Sequence, residues 1–89
     1  MSFFVYLLIC LNKKKISYVG YTKDLKKRLK LHNSSKGAKF TKGKKWIMIY
    51  SKRYTTKSIA MKEEYKLKKN YKKRKLIKDN YFKLNEKTS

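Results

Sequence analysis

Apolar residues gather along this chain in short blocks separated by lysine-rich polar stretches. The first block, FFVYLLICL at Phe3 to Leu11, is apolar at both alternating sets of positions, the pattern of a strand covered on both faces. NKKK at 12–15 makes a polar turn, and ISYVGY at 16–21 reads as a second strand. So short a link predicts an antiparallel hairpin. Thr22 is a good N-cap and Asp24 suits the positive end of a helix dipole, ahead of LKKRLKLHN at 25–33 with Leu25 and Leu29 one turn apart. Asn33 to Lys45 is a glycine- and lysine-rich loop, expected to be mobile and to touch phosphate.

WIMIYSKRY at 46–54 returns to strand character, with Trp46, Met48 and Tyr50 predicted on one face and Ile47 and Ile49 on the other. Thr55 or Thr56 then caps a second helix whose Ile59, Ala60, Leu67 and Tyr71 make an inward stripe. The stretch from Asn70, NYKKRKLIKDNYFKL, either extends that helix or forms a third. The predicted order is β-β-α-β-α-α, an α+β fold with a small three-stranded antiparallel sheet flanked by helices. One domain over 1–83 is expected, with 84–89 as a frayed tail.

Composition narrows the class. At 89 residues, 40% of them hydrophobic and 15% aromatic, the chain has material for one core and more apolar content than a disordered basic tail. The net charge of +22 is the outlier, and self-repulsion of that size implies a polyanionic partner, nucleic acid first and an anionic membrane second. The nine residues from Phe3 to Leu11 fall short of the roughly 20 that a spanning helix needs, and no basic segment precedes them as in a signal peptide. Cys10 is the sole cysteine, so disulfides and cysteine zinc sites are ruled out and it reads as a small buried hydrophobe. These features fit an intracellular protein, in the cytoplasm of a bacterium or the nucleus or virus factory of a host cell.

Candidate chemistry is sparse. Arginine occurs only at 28, 53 and 74 against 24 lysines, so each planar fork among so many point charges carries information. Arg28 and His32 lie four apart on the first helix, where they could form a phosphodiester site or be an exposed cation and a helix C-terminal histidine; spacing alone favours the second. Glu63 and Glu64 flank the apolar stripe of the second helix, and periodicity does not choose between an inward carboxylate and a pair of surface acids bonded to Lys66 or Lys68. Tyr6 and Tyr18 can share one face of the hairpin only if the link is odd or bulged. A tyrosine, with a pKa near 10, serves as a base near neutrality only if positive charge stabilises its phenolate. Gly20 sits in an otherwise aromatic strand, which calls for a bulge, a bend or a close approach.

Taken together, FVY at 4–6, YVG at 18–20, TKDLKKRLKLHN at 22–33, GAKFT at 37–41 and AMKEEYKLKK at 60–69 resemble the GIY-YIG nuclease superfamily over residues 3 to 70. The likeness is greatest to its small single-domain members, and extends to the nuclease domain of the resolvase subunit that cuts branched DNA. The resemblance implies that Tyr6 and Tyr18 fill the two motif tyrosines, with Tyr6, aided by His32, drawing the proton from an attacking water. It implies that Arg28 holds the scissile phosphate and that Glu64 holds one divalent cation, Mg²⁺ or Mn²⁺. Phe4 stands where the family has its first glycine, and neither Asn70 nor Asn80 is a secure match for a late site asparagine.

The function so implied is a metal-dependent DNA endonuclease acting in repair, recombination or related processing, selective for DNA structure such as branches or flaps rather than for sequence. Gly20, Lys36, Lys39, Lys42, Lys44 and Lys45 are the expected nucleic-acid contacts, and a partner protein subunit is compatible with so small a chain. A basic binding module that keeps the fold without turnover is the alternative, and a ribosome-associated RNA binder would suit the composition but not the ordered motifs.

Overall fold

Strands β1 (Phe3–Cys10), β2 (Ser17–Thr22) and β3 (Trp46–Tyr54) and helices α1 (Leu25–Asn33), α2 (Lys57–Lys69) and α3 (Tyr71–Glu86) follow the expected order. They are seen in a computed structural model that describes residues 2–13 and 16–86. Lys14 and Lys15 of the predicted turn, and 87–89 of the predicted tail, lie outside the described residues. The sheet order is β2-β1-β3, antiparallel throughout, so the strand that is apolar on both faces is the central one. β1 ends at Cys10, one residue earlier than expected, and Leu11 is exposed.

The alternation along β1 sorts the core onto two sides. Phe3, Val5 and Leu7 pack with Val19, Ala60 and Leu67, the latter two from α2, and Ile77 of α3 joins this side. Tyr6, Leu8 and Cys10 pack with Trp46, and Leu25 and Leu29 of α1 cover them. One departure lies in β3. Leu7 pairs with Tyr50 but Leu8 with Met48, so Ile49 is an extra residue in the ladder. The bulge flips the alternation beyond it, and Tyr50 packs with Ile49 on the α2 side rather than with Trp46 and Met48.

The helix starts are set by side-chain caps. Asp24, not Thr22, caps α1, its Oδ1 accepting from Lys27 N–H at 3.1 Å, while Thr22 Oγ1 accepts from Asp24 N–H one step earlier. Thr56 caps α2 by accepting from Ile59 N–H at 3.2 Å. Asn70 breaks the last stretch into a third helix by accepting from Lys73 N–H at 3.0 Å. The predicted stripe of α2 is half right. Ala60 and Leu67 are buried, but Ile59 and Tyr71 are exposed. Tyr71 lies past the break at Asn70, where periodicity cannot carry over, and Ile59 sits about 100° around the helix from the inward line that joins 60, 64 and 67.

Candidate active site

The hairpin brings the two tyrosines to one face. Tyr6 pairs with Gly20 and Leu8 with Tyr18, so every β1–β2 pair joins two even or two odd positions, as an odd link gives. The ring centroids of Tyr6 and Tyr18 lie 6.4 Å apart. Gly20, opposite Tyr6, is a close approach: a Cβ built there would overlap Tyr6 Oη and lie 2.6 Å from its Cζ. The space beside Tyr18 is thus filled by the Tyr6 phenol.

Helix α1 completes the surroundings of that phenol. Arg28 Nε donates to Tyr6 Oη at 3.4 Å, and His32, one turn on, places Nε2 at 2.8 Å from the same oxygen. His32 stands in the last turn of α1, yet it is 0% exposed and faces the Tyr6 phenol. Its other ring nitrogen, Nδ1, is 2.8 Å from Thr41 Oγ1, which donates to the Ala38 carbonyl at 2.8 Å. Thr41 is itself 0% exposed, on the short 3-10 helix Lys39–Thr41. Gly37 lets this segment close over the imidazole, because a Cβ there would lie 2.9 Å from His32 Cγ and Cε1. The middle of the expected phosphate loop therefore packs against His32.

Tyr6, Tyr18, Gly20, Tyr21, Thr22, Arg28 and Glu64 line one cleft of about 370 Å³. The inward line of α2 decides between the two acids. Glu64 follows Ala60 by one turn and enters the cleft, its side chain 18% exposed and 3.4 Å from Lys68 Nζ. Glu63 faces a different hollow beside Tyr54 and pairs loosely with Lys66 at 3.8 Å. Both acids thus do have lysine partners, but only Glu64 shares the cleft with Tyr6 and Arg28. A larger, shallower depression of about 900 Å³ lies on the outer side of α2 among Lys57, Met61 and Tyr65, with no carboxylate, histidine or arginine in its walls.

Burial raises the Tyr6 pKa above its ordinary value, although the hydrogen bond from Arg28 pulls the other way. Desolvation outweighs the surrounding positive charge, so the phenolate is not stabilised in the way the composition suggested. His32 moves down from its ordinary value, by burial first and the Arg28 charge second, so it is neutral near pH 7. Arg28 is held protonated by Tyr6.

Among the described residues no group of three or more His, Cys, Asp or Glu side chains comes together. One inward carboxylate in a polar cleft suits a hard cation that takes one protein oxygen and fills its other positions with water and phosphate. It does not suit the closed nitrogen and sulfur cage of zinc.

A family model described as the GIY-YIG catalytic domain matches residues 2–78. The chain belongs to the GIY-YIG family. Membership places it among nuclease domains whose substrate is DNA and which are in general dependent on divalent metal. UPF0213 protein OB0043 of Oceanobacillus iheyensis is 42% identical over 66 residues, covering 73% of this chain and 74% of that protein. UPF0213 protein YazA of Bacillus subtilis is 44% identical over 73 residues, 81% and 72% of the two chains. A solution NMR structure of UPF0213 protein BH0048 from Bacillus halodurans matches with a TM-score of 0.49 and 36% identity, over 84% and 79% of the chains. Within the GIY-YIG motif the glycine of YVG has its physical reason in the Tyr6 ring. Asn70, weighed as a late site asparagine, serves as a helix cap.

Four residues outside the predicted set shape this GIY-YIG site: Thr41, Gly37, Phe40 and Asn33. Asn33 clamps the start of β3 to α1, accepting from Trp46 N–H at 2.6 Å and donating to its carbonyl at 3.0 Å. Phe40 is 53% exposed and stacks on Tyr18, with ring centroids 6.3 Å apart and an interplanar angle of 19°. The available signal was GAKFT, two small residues, an aromatic and a β-branched hydroxyl inside a lysine-rich loop. No helix among the described residues is long and apolar enough to cross a membrane.

Proposed function

We propose that this protein is a metal-dependent endonuclease that hydrolyses DNA phosphodiester bonds, leaving a 3′-hydroxyl and a 5′-phosphate, with selectivity for branches or flaps over sequence. The observation that carries the reading is the meeting of Tyr6, Tyr18, Arg28 and Glu64 in one cleft, with His32 behind Tyr6. Arg28 grips the scissile phosphate and offsets the charge that grows on it in the transition state. Tyr6 Oη takes a proton from the attacking water, whose oxygen bonds to phosphorus as the bond to the 3′ oxygen breaks. Tyr18 borders the phosphate and water. A single divalent ion held by Glu64 would supply Lewis-acid stabilisation of the departing 3′ oxygen.

Lys36, Lys39, Lys42 and Lys45 are exposed along the loop whose Gly37 and Thr41 pack on His32, with Lys44 close to Phe40, and these cations hold the flanking DNA backbone. Phe40 at the cleft edge offers a stacking surface for an unpaired base, which agrees with a preference for frayed or branched DNA. The protein acts inside the cell, in repair, recombination or related processing, alone or with a partner subunit. The test is cleavage of supercoiled plasmid and labelled flap DNA with Mg²⁺. Wild type is expected to cut, and Glu64→Gln and Tyr6→Phe to lose about 10²-fold or more in rate. Equal rates for all three would leave a basic binding module in place of the nuclease.

A further inference from the structure

Behind the cleft a chain of hydrogen bonds runs from the loop to Tyr6, and what each group can donate fixes its direction. The Ala38 carbonyl can only accept, so the single Thr41 hydroxyl proton points to it across 2.8 Å. Thr41 Oγ1 must then accept from His32 Nδ1–H, also at 2.8 Å. Neutral imidazole has one N–H, so Nε2 is bare and accepts the Tyr6 phenol proton at 2.8 Å, while Tyr6 Oη accepts from Arg28 Nε–H. Every contact then holds one proton. The opposite tautomer would need the Thr41 proton on Nδ1 and would leave two oxygens 2.8 Å apart with none between them.

We propose that Thr41 is a positioning residue that holds His32 as the Nδ1–H tautomer, leaving Nε2 to receive the Tyr6 proton during cleavage. The catalytic half of this statement rests on the nuclease reading; the tautomer half does not. The relay has a physical need, because a phenol held neutral by burial cannot take the proton of water unless it gives up its own. As the water O–H breaks and its proton moves to Tyr6 Oη, the phenol proton moves to His32 Nε2. The resulting imidazolium keeps an acceptor for each N–H, Thr41 on one side and Tyr6 on the other. It then returns its proton through Tyr6 to solvent, and the 3′ oxyanion leaves as the alcohol by taking a proton from water. The charged and titratable groups facing His32 are Tyr6 from β1, Tyr18 from β2 with its ring 5.0 Å away, and Arg28 from its own helix. The 3-10 segment presents only the neutral Thr41 hydroxyl.

His32 is the only histidine, so uniformly ¹⁵N-labelled protein gives one imidazole pair in long-range ¹H–¹⁵N spectra. Near pH 7.5, above the ordinary histidine value of about 6.5, wild type should show a protonated Nδ1 and a bare Nε2. Thr41→Ser should keep that pattern and a near wild-type cleavage rate. Thr41→Val, similar in shape but without the acceptor, should move the proton toward Nε2 and slow cleavage about 10- to 100-fold. A wild-type spectrum with the proton on Nε2 overturns the proposal without any variant. So does a folded Thr41→Val chain, judged by amide dispersion, with the wild-type tautomer and rate. A wild type that cuts no DNA yet shows the expected tautomer, lost in Thr41→Val, supports the positioning role and overturns the nuclease reading alone.

Discussion

Replacing Gly20 by alanine adds one methyl group, and the structure lets its cost be worked out. The new Cβ would overlap Tyr6 Oη, lie 2.6 Å from Cζ and lie 3.1 Å from Tyr18 Cε2. Carbon atoms rest at about 3.5–4.0 Å, so the Tyr6 ring must retreat by about 1 Å. It cannot do so freely, because Tyr6 is fully buried and its oxygen is tied to His32 and Arg28. Overpacking of this kind costs about 1–3 kcal/mol, and loosening the buried hydrogen bond to His32 adds about 1–2 kcal/mol. Reduced freedom of the unfolded chain returns about 0.4–1 kcal/mol. The expected net loss is about 2–4 kcal/mol, read from urea unfolding as a lower midpoint or from heating as a fall in Tm of at least about 8 °C. Cleavage should drop about 10²-fold, since a displacement of about 1 Å at a reacting group costs that much. In a Tyr6→Leu background the methyl group meets no phenol, so the two substitutions should couple by at least about 1 kcal/mol. A Gly20→Ala chain within about 0.5 kcal/mol of wild type that cuts normally would refute this account of the glycine.

His32 titrates below its ordinary value in the folded chain, so the unfolded chain binds the proton more readily. Stability from this group is full above about pH 6.5 and is lost as pH falls from there through the lowered folded value; urea midpoints from pH 7.5 down to pH 5 should show the fall, and His32→Gln should flatten it. Cleavage should decline in acid once the folded His32 is protonated, as an imidazolium cannot receive the Tyr6 proton, and a His32→Gln chain that keeps the wild-type rate and pH profile would remove His32 from the relay. Asn33→Ala leaves the Trp46 N–H and carbonyl without their partners, which should cost about 1–3 kcal/mol in thermal unfolding.

Much of the fold was legible because local rules and tertiary packing agree. The run apolar at every position read as a strand covered on both faces, and the order β-β-α-β-α-α followed from block lengths and caps, while the central place of that strand came from the sheet pairing. The site was legible only as a set of residue types. Arg28 and His32 were visible as an i, i+4 pair, but whether they faced water or the Tyr6 phenol depended on how α1 lies on the sheet, a long-range matter. Periodicity left Glu63 and Glu64 equal, because adjacent residues differ by about 100° and only the packing of α2 sets the zero of that angle.

What the sequence determined by itself was the element order, the polyanion-seeking charge of +22 and the identity of the groups available for chemistry, since these depend on local pattern and on counting. Tertiary structure alone decided the bulge that turns Tyr50 to the α2 side, the burial that raises rather than lowers the Tyr6 pKa, and the closure of Gly37 and Thr41 over His32. Each of these results from bringing distant segments into contact, where desolvation and hydrogen-bond direction depend on neighbours far away in sequence.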